Sequence, residues 1–321
     1  MNINLLTYNT NLIKFLPNSE LCSMCNNLIN LVNTLNGWRS MTAIDYASQA
    51  GDIFVLSDSF IRIKELIDNE SSTIDDINDV IIVDPALSGT ILKLANSAFF
   101  NYPGKIDTIS KAVLVLGITE VYNLVIAYFT EQAFESIHAD QGFLENFWEE
   151  SIDCALLVKF LGCSLNVPNA ERLFILGLLH NLGELIVKQL SPDKIPEYNI
   201  KQASDLPWDV QRDILGFTFG ELGAEILKLW QLPYNIVAPI RNQDEANFGL
   251  VNTESQLLYI AKRILVHQKL LKSTNQKALL DKIPLTSLGV DDELLNKAME
   301  YCDTERLSIL AVLRPKSVTI Y

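Results

Sequence analysis

The sequence predicts an all-α protein, and three observations carry that prediction. No window shows a sustained alternation of apolar and polar residues with turn residues between the runs. Gly (14) and Pro (11) are few for 321 residues, which suits long helices better than a turn-rich β fold. Apolar residues instead recur at helical spacing, with Ser, Thr or Asp residues at the expected helix starts. We therefore expect a multi-helix bundle that is preceded by a helical extension.

Capping residues place the start of several helices. A Ser, Thr or Asp side chain accepts the free amide hydrogens of a first turn, and Pro suits the first helical position. By that criterion one helix begins after Asp84, which Pro85 follows. Two more begin after Thr73 and Thr218, because each heads a capping box with an acidic residue three positions later. Thr119 is expected to cap the helix that follows Gly117 and runs to about residue 136.

Helical spacing extends these starts along the chain. Further helices are predicted at residues 19–35, 57–69, 108–116, 144–165, 169–189, 234–242, 254–271 and 291–314. Gly183 is expected to interrupt the helix predicted at 169–189. We divide the chain into a helical extension at residues 1–50, a core domain at 51–245, and C-terminal helices at 246–321 that pack on the same domain.

Composition and charge narrow the classes of partner. The formal net charge is −14, and such a surface repels phosphate backbones and anionic lipids, so no nucleic-acid or membrane partner is expected. The N-terminus lacks the pattern of a secretory signal, and the apolar runs are too short to span a bilayer. A cytoplasmic location with reduced thiols is expected. Cys22 and Cys25 form a lone CxxC, read as part of a buried helix face in preference to a metal or redox site.

Four ordered segments then show a familiar pattern. They are Asp84–Phe100 with its L-A-N-S-A-F run, Ile109–Gly117, Trp148–Ala155 with Gly177–Gly183, and Leu215–Gly216 with Gly223–Ala224 and Trp230–Pro233. Together they resemble the HDOD family, the HD-related output domain, over residues 51–245. The residues that carry the match are Asp84, Pro85, Asn96, Ser97, Gly117, Trp148, Gly183, Gly223, Trp230 and Pro233. The resemblance implies an HD-like helical bundle in which these residues are structural.

The Asn96-Ser97-Ala98 run has an explanation that needs no ligand. Asn and Ser at a helix end can satisfy free carbonyl groups or turn the chain. Small residues beside them let a neighbouring helix approach closely before Phe99 and Phe100 fill the core. We favour this tight helix junction over a binding role.

The resemblance also implies a metal site that this chain has lost. Catalytic HD relatives hold a divalent metal through His and Asp, and the ion activates a water molecule. Here the central His-Asp pair reads His180-Asn181, and Glu149-Glu150-Ser151 follows Trp148 at the place where relatives often carry His. Phe217–Phe219 and Arg241–Asp244 stand where an Asp-His pair and a late His-His pair are often found. With three histidines in all, at 138, 180 and 267, the chain cannot assemble a His-rich site.

We therefore expect no metal, no cofactor and no catalysis. Glu150, His180 and Asn181 are expected to line a remnant pocket, with the His180 ring donating to a backbone carbonyl. The expected function is a non-catalytic signal-transduction module that acts through protein partners, with self-association as a further option.

Two alternatives remain open. One is a metal-dependent phosphohydrolase acting on a nucleotide or cyclic dinucleotide, with Glu149, Glu150 and Asp153 near His180 as ligands. The other is a nucleotide sensor that retains the old cleft. The sensor is disfavoured because nothing basic is predicted beside these acidic residues.

Overall fold

The protein is described by a computed structural model, which covers residues 41–54, 56–69, 71–100, 102–134, 137, 139–170, 172–201, 205–245, 251–269 and 289–313. Every secondary-structure element within these ranges is helical, so the all-α prediction is confirmed. The chain divides into two compact units, Met1–Met41 and Thr42–Tyr321, and the described residues fall almost entirely in the second. The helix predicted at 19–35, the Cys22–Cys25 motif and His138 lie outside the described residues.

The helices are numbered in chain order. They are α1 Ala43–Ile53, α2 Asp58–Asp68, α3 Ile74–Val83, α4 Pro85–Ala95, α5 Ile109–Leu116, α6 Ile118–Ala133, α7 Gln141–Ser164, α8 Arg172–Leu179, α9 Leu182–Leu190, α10 Ile195–Lys201, α11 Pro207–Leu215, α12 Phe219–Leu229, α13 Tyr234–Arg241, α14 Thr253–Lys269 and α15 Asp292–Leu313. Short 3₁₀ turns lie at Ala98–Phe100 and Pro192–Lys194.

Local capping explains where several helices begin. The Thr73 side chain accepts from Asp76 N while Asp76 bonds back to the Thr73 amide, and the same reciprocal box opens α12 at Thr218. Asp84 Oδ1 accepts from the amides of Ala86 and Leu87, both at 3.0 Å. Pro85 then occupies the first position of α4. The helix starts predicted at these residues are confirmed.

Two boundary predictions are wrong. Thr119 does not cap α6, because the helix already begins at Ile118 and Gly117 occupies the capping position with φ of +86°. Glycine adopts this conformation without the steric cost that a Cβ would add. The segment at 169–189 breaks at His180-Asn181, between α8 and α9, while Gly183 lies inside α9. Helices α1, α10 and α11 had no counterpart among the predicted ones.

The core is built around α7, a helix of 24 residues. Helices α8, α14 and α15 pack along it, and α8 is buried over its whole apolar length, Leu173–Leu179. Helix α12 packs against α1, α9 and α13. Helix α15 contacts α7 and reaches α4 and the Ala98–Phe100 turn. The turn between α8 and α9, which carries His180 and Asn181, is therefore set in the middle of the fold.

Trp230, one of the family-pattern residues, joins the first helix to the rest of the domain. Its ring is buried, and Nε1 donates to the carbonyl oxygen of Phe54 at 3.1 Å. Phe134 lies between the two, with ring centroids 4.4 Å from Phe54 and 5.9 Å from Trp230. Pro233 then occupies the capping position of α13. These contacts account for the Trp230–Pro233 segment in structural terms.

Within the described residues, one segment has the length and apolar composition to cross a membrane, and a second passes only if α5 and α6, bent by 119° relative to each other, are taken as one span. The first segment is Arg172–Leu190, and 72% of its apolar window is buried inside the protein. The segment comprises α8 and α9, whose apolar side chains pack in the core. Its hydrophobicity is thus used for packing within the helical bundle.

Candidate functional site

The His180-Asn181 turn is held by its own backbone and neighbours. The His180 ring is buried, and Nδ1 lies 2.7 Å from the carbonyl oxygen of Gly177. A carbonyl can only accept, so the proton lies on Nδ1, and this is the contact expected of a structural histidine. The Asn181 amide donates through Nδ2 to Glu184 Oε2 on α9. Both side chains at the position of the family's His-Asp pair therefore make local contacts.

Glycines let the neighbouring helices close around this turn. A Cβ added to Gly177 would lie 2.4 Å from the Cα of Ala155 on α7. A Cβ on Gly183 would lie 2.2 Å from the carbonyl oxygen of Phe219 on α12. Any side chain at either position would clash with backbone, which cannot rotate away. The family-pattern residue Gly183 thus has a steric role in bringing α9 and α12 together.

Gln243 covers the turn from the other side. Its side chain is fully buried, and Nε2 donates to the carbonyl oxygen of His180 at 2.6 Å. Gly220 makes room for it, since a Cβ there would lie 2.2 Å from Gln243 Nε2. In the described part of the chain Gln243 Oε1 has no hydrogen-bond partner. An amide therefore fills space at the segment where relatives often carry two histidines.

Asp244 forms a buried ion pair directly after Gln243. Lys262 Nζ, on α14, donates to Asp244 Oδ1 at 2.7 Å and to Oδ2 at 2.9 Å. The Asp244 and Lys262 side chains are only 2% and 7% exposed. A pair this deep loses its hydration, so each charge depends on the other for stabilisation.

Arg263 lies beside this pair between two aromatic rings. Its guanidinium carbon is 4.0 Å from the centre of the Trp208 ring and 3.1 Å from that of Tyr259. Its one hydrogen bond within the described residues runs from Nη1 to Tyr259 O at 3.2 Å. Burial lowers the pKa of Arg263 to about 10. Stacking on aromatic faces offsets part of the cost of placing this cation inside the protein.

Tyr198 and Gln211 connect the cluster to α12. Gln211 Oε1 accepts from the amide of Phe219 at 2.8 Å, and its Nε2 donates to the Tyr198 hydroxyl at 3.3 Å. Burial raises the pKa of Tyr198, and the carboxylates of Glu184, Glu150 and Asp244 raise it further.

The predicted site residues make separate contacts in the structure. Glu150 is half-buried on α7 and acts on Tyr198 through its charge, whereas the side chains of His180 and Asn181 contact Gly177 and Glu184. Asp153, a ligand in the hydrolase alternative, is paired with Arg306 of α15.

The side chains in the described ranges do not fit a metal site. Among the residues that the structure describes, no three His, Cys, Asp or Glu side chains are placed to hold an ion. Within these ranges, His and carboxylate groups therefore do not converge on one point, as the ligands of a metal ion do.

The expectation that nothing basic lies beside the acidic residues is wrong. Arg306 Nε donates to Asp153 Oδ1, and Lys262 and Arg263 are both buried in the domain. Nothing in their local sequence separates them from solvated helix residues.

The described residues form an all-α helical domain in which His180 and Asn181 lie in the turn between α8 and α9. Comparison with protein families agrees, since the HDOD domain model matches residues 53–246. The chain belongs to the HDOD family.

A curated relative is an uncharacterized protein of Treponema pallidum (strain Nichols), which is 29% identical over 202 residues. The match takes in 62% of this chain and only 39% of the relative's length.

Solved structures confirm the fold. A protein of Shewanella amazonensis SB2B, assigned provisionally by its name to the phosphohydrolases, aligns with a TM-score of 0.66 and 22% identity over 87% of this chain and 99% of its own. A Marinobacter aquaeolei VT8 protein, assigned provisionally by its name to signal transduction, aligns with a TM-score of 0.62 and 22% identity. The alignment covers 82% of this chain and 60% of that protein. An HDOD domain protein of unknown function from Geobacter sulfurreducens aligns with a TM-score of 0.60 and 18% identity. The alignment covers 83% of this chain and 93% of that protein.

Proposed function

We propose that the chain is a non-catalytic HDOD module that takes part in signal transduction in the cytoplasm by binding other proteins. One observation carries the proposal: where an HD enzyme needs the Asp of its central His-Asp pair, this chain has Asn181, whose side-chain amide donates to Glu184. Hydrolysis of a phosphate ester in this fold class depends on a metal that activates water. Among the residues that the structure describes, no His, Cys, Asp or Glu side chains converge as a set of ligands for such an ion.

The charges of the site also support a non-catalytic role. Asn181 is neutral and cannot balance a dication. The carboxylate of Asp244 is already neutralised by the ammonium of Lys262. The provisional name of the Marinobacter relative agrees with a signalling role. Its identity of 22% supports a shared fold and no more.

Exposed apolar residues offer a surface for protein contacts. Val83 is 81% exposed and Ile82 is 55% exposed at the end of α3, and Asp75 and Asp79 are exposed on the same helix. Leu114, on the neighbouring helix α5, is also exposed. Solvent-exposed apolar side chains flanked by charge are typical of protein interaction sites. The net charge of −14 favours a partner with a basic surface.

A hydrolysis assay tests the non-catalytic part of the proposal. The full chain is purified without chelator and incubated with Mn²⁺ or Fe²⁺ and with nucleotides, cyclic dinucleotides and p-nitrophenyl phosphate. We expect its turnover to equal that of the Glu150→Gln and His180→Ala variants, because none of them holds a catalytic ion. Metal-dependent turnover that the wild-type chain shows and Glu150→Gln lacks would establish the phosphohydrolase alternative instead.

A binding experiment tests the partner. The tagged full chain is used to recover proteins from cells that express it natively, and bound proteins are identified by mass spectrometry. We expect a stoichiometric partner that the Ile82→Ser/Val83→Ser variant loses, since this change removes apolar contact area without altering the core.

Leu307→Ser is the matched control, because Leu307 is 67% exposed on α15. It should retain the partner. Recovery of no stoichiometric protein, or equal loss from both variants, would contradict the proposed surface.

A further inference from the structure

Helix α15 carries a charged side chain into the interior of the protein. Glu305 is only 7% exposed, and its Oε2 atom is buried without a hydrogen-bond partner in the part of the chain that the structure describes. Two other buried carboxylates, those of Glu120 and Asp244, are each paired with a lysine. A buried polar atom that has lost its water and gained no partner destabilises the arrangement that buries it. Glu305 therefore opposes the packing of α15 against the domain.

Few large apolar side chains of α15 compensate for this cost. Six of its 22 residues are buried, and the large apolar ones, Ile309, Leu310 and Leu313, all lie within the last five residues of the helix. Helix α8, by contrast, buries the seven consecutive residues Leu173–Leu179. Most of the length of α15 therefore has no large apolar side chain fully buried against the domain. Its buried residues there are small or charged, namely Ala298, Cys302 and Glu305.

Two side-chain contacts that fix α15 on α7 are partly exposed to water. Arg306 Nε donates to Asp153 Oδ1, and the two side chains are 28% and 17% exposed. Burial raises the pKa of Asp153 even though Arg306 donates to it. The rings of Tyr301 and Phe160 have centroids 5.2 Å apart, and both residues are half-buried. These contacts set the position of α15 on α7, but water can replace much of what they contribute.

We propose that α15 is a releasable cover of α7, which the buried carboxylate of Glu305 keeps from closing tightly. When α15 is released, the surface of α7 that carries Asp153 and Phe160 is exposed, while the other helices stay folded. The family model ends at residue 246, so the cover lies outside the residues that match it and controls access to one surface of the domain. Its release depends neither on a missing metal nor on a bound partner, and so goes beyond the proposed function.

Native-state hydrogen exchange of the full chain, followed by mass spectrometry, tests the proposal. In the wild-type chain we expect the amides of α15 to exchange about 100-fold faster than those of α8, because α15 opens without unfolding the rest. Glu305→Met removes the charge and keeps an unbranched side chain of similar length. It should slow the exchange of α15 by about tenfold, since the buried oxygen without a partner is gone. Glu300→Met is the matched control, because Glu300 is exposed on the same helix, and exchange should change by less than about twofold.

Chemical labelling of Cys302 provides a second readout. Its thiol is fully buried where α15 meets α7, and Sγ lies 3.8 Å from the carbonyl oxygen of Asp153. Iodoacetamide can therefore reach the thiol only when α15 leaves α7. Peptide mapping should show that Cys302 is modified about tenfold more slowly in Glu305→Met and at the wild-type rate in Glu300→Met.

Three results would overturn the proposal. Amides of α15 that are protected as strongly as those of α8 would mean that α15 opens only when the whole domain unfolds. Faster exchange of α15 in Glu305→Met would mean that the carboxylate stabilises the closed state. An equal effect of Glu305→Met and Glu300→Met would mean that burial of the charge does not control the opening.

Discussion

Gly183→Ala is expected to lower the free energy of unfolding by about 3 kcal/mol or more, among the largest effects of any single methyl group in this protein. The added Cβ would lie 2.2 Å from the carbonyl oxygen of Phe219 and 2.8 Å from its Cα. Both are backbone atoms of the first turn of α12, so relief requires α9 and α12 to separate. Urea unfolding followed by circular dichroism measures the change.

Gly89→Ala is the matched control. Gly89 lies inside α4, and a Cβ there would meet no other atom within 4 Å. The same substitution should therefore stabilise the protein by about 0.5–1 kcal/mol, because alanine loses less backbone entropy in a helix. If both variants had the same stability, the close approach of α9 and α12 would be refuted.

Asn96→Ala is expected to lower the free energy of unfolding by about 2–4 kcal/mol. Asn96 Nδ2 donates to the carbonyl oxygens of Leu92 at 2.7 Å and Ile106 at 2.6 Å, and Oδ1 accepts from Ile106 N at 2.8 Å. Ile106 is buried, so its peptide groups would be left without water as well as without their partner. Urea unfolding again provides the measurement.

Asn69→Ala is the matched control for Asn96→Ala, because Asn69 bonds only within its own exposed turn. Asn69 Oδ1 accepts from the amide of Ser71 at 3.0 Å in an exposed turn, where water can replace the lost contact. Its substitution should cost less than about 1 kcal/mol. An Asn96→Ala variant as mildly affected as Asn69→Ala would show that the Asn-Ser-Ala segment does not hold the chain at Ile106.

Helix starts that depend on three or four consecutive residues could be predicted from the sequence. Thr73, Asp84 and Thr218 bond to amides of their own first turn, so the relevant partners are adjacent in the chain. The same logic could have found α1, whose Thr42 and Asp45 form a capping box of the same type. The role of Gly183 could not be predicted from adjacent residues. A glycine that breaks a helix and one that admits a neighbouring helix look identical in sequence.

The candidate site was only partly predictable for a related reason. The family pattern points to His180, Asn181 and Glu150, and the structure shows local contacts of His180 with Gly177 and of Asn181 with Glu184. Lys262 reaches Asp244 across 18 positions of the chain, and its burial follows from the packing of α14 on α7. A lysine in a predicted amphipathic helix is ordinarily solvated, so this pairing emerges only in three dimensions.

The placement of α15 has a consequence for how the boundaries of this protein are drawn. The family pattern ends at residue 246, yet α15 begins at Asp292 and its residues Ala298, Cys302 and Ile309 are buried. These side chains seal the α7 surface, and Arg306 binds Asp153 there. A fragment cut at the end of the recognisable pattern would present that apolar surface to water and tend to aggregate. The helices that pack together in this protein therefore extend beyond the residues that match the family pattern.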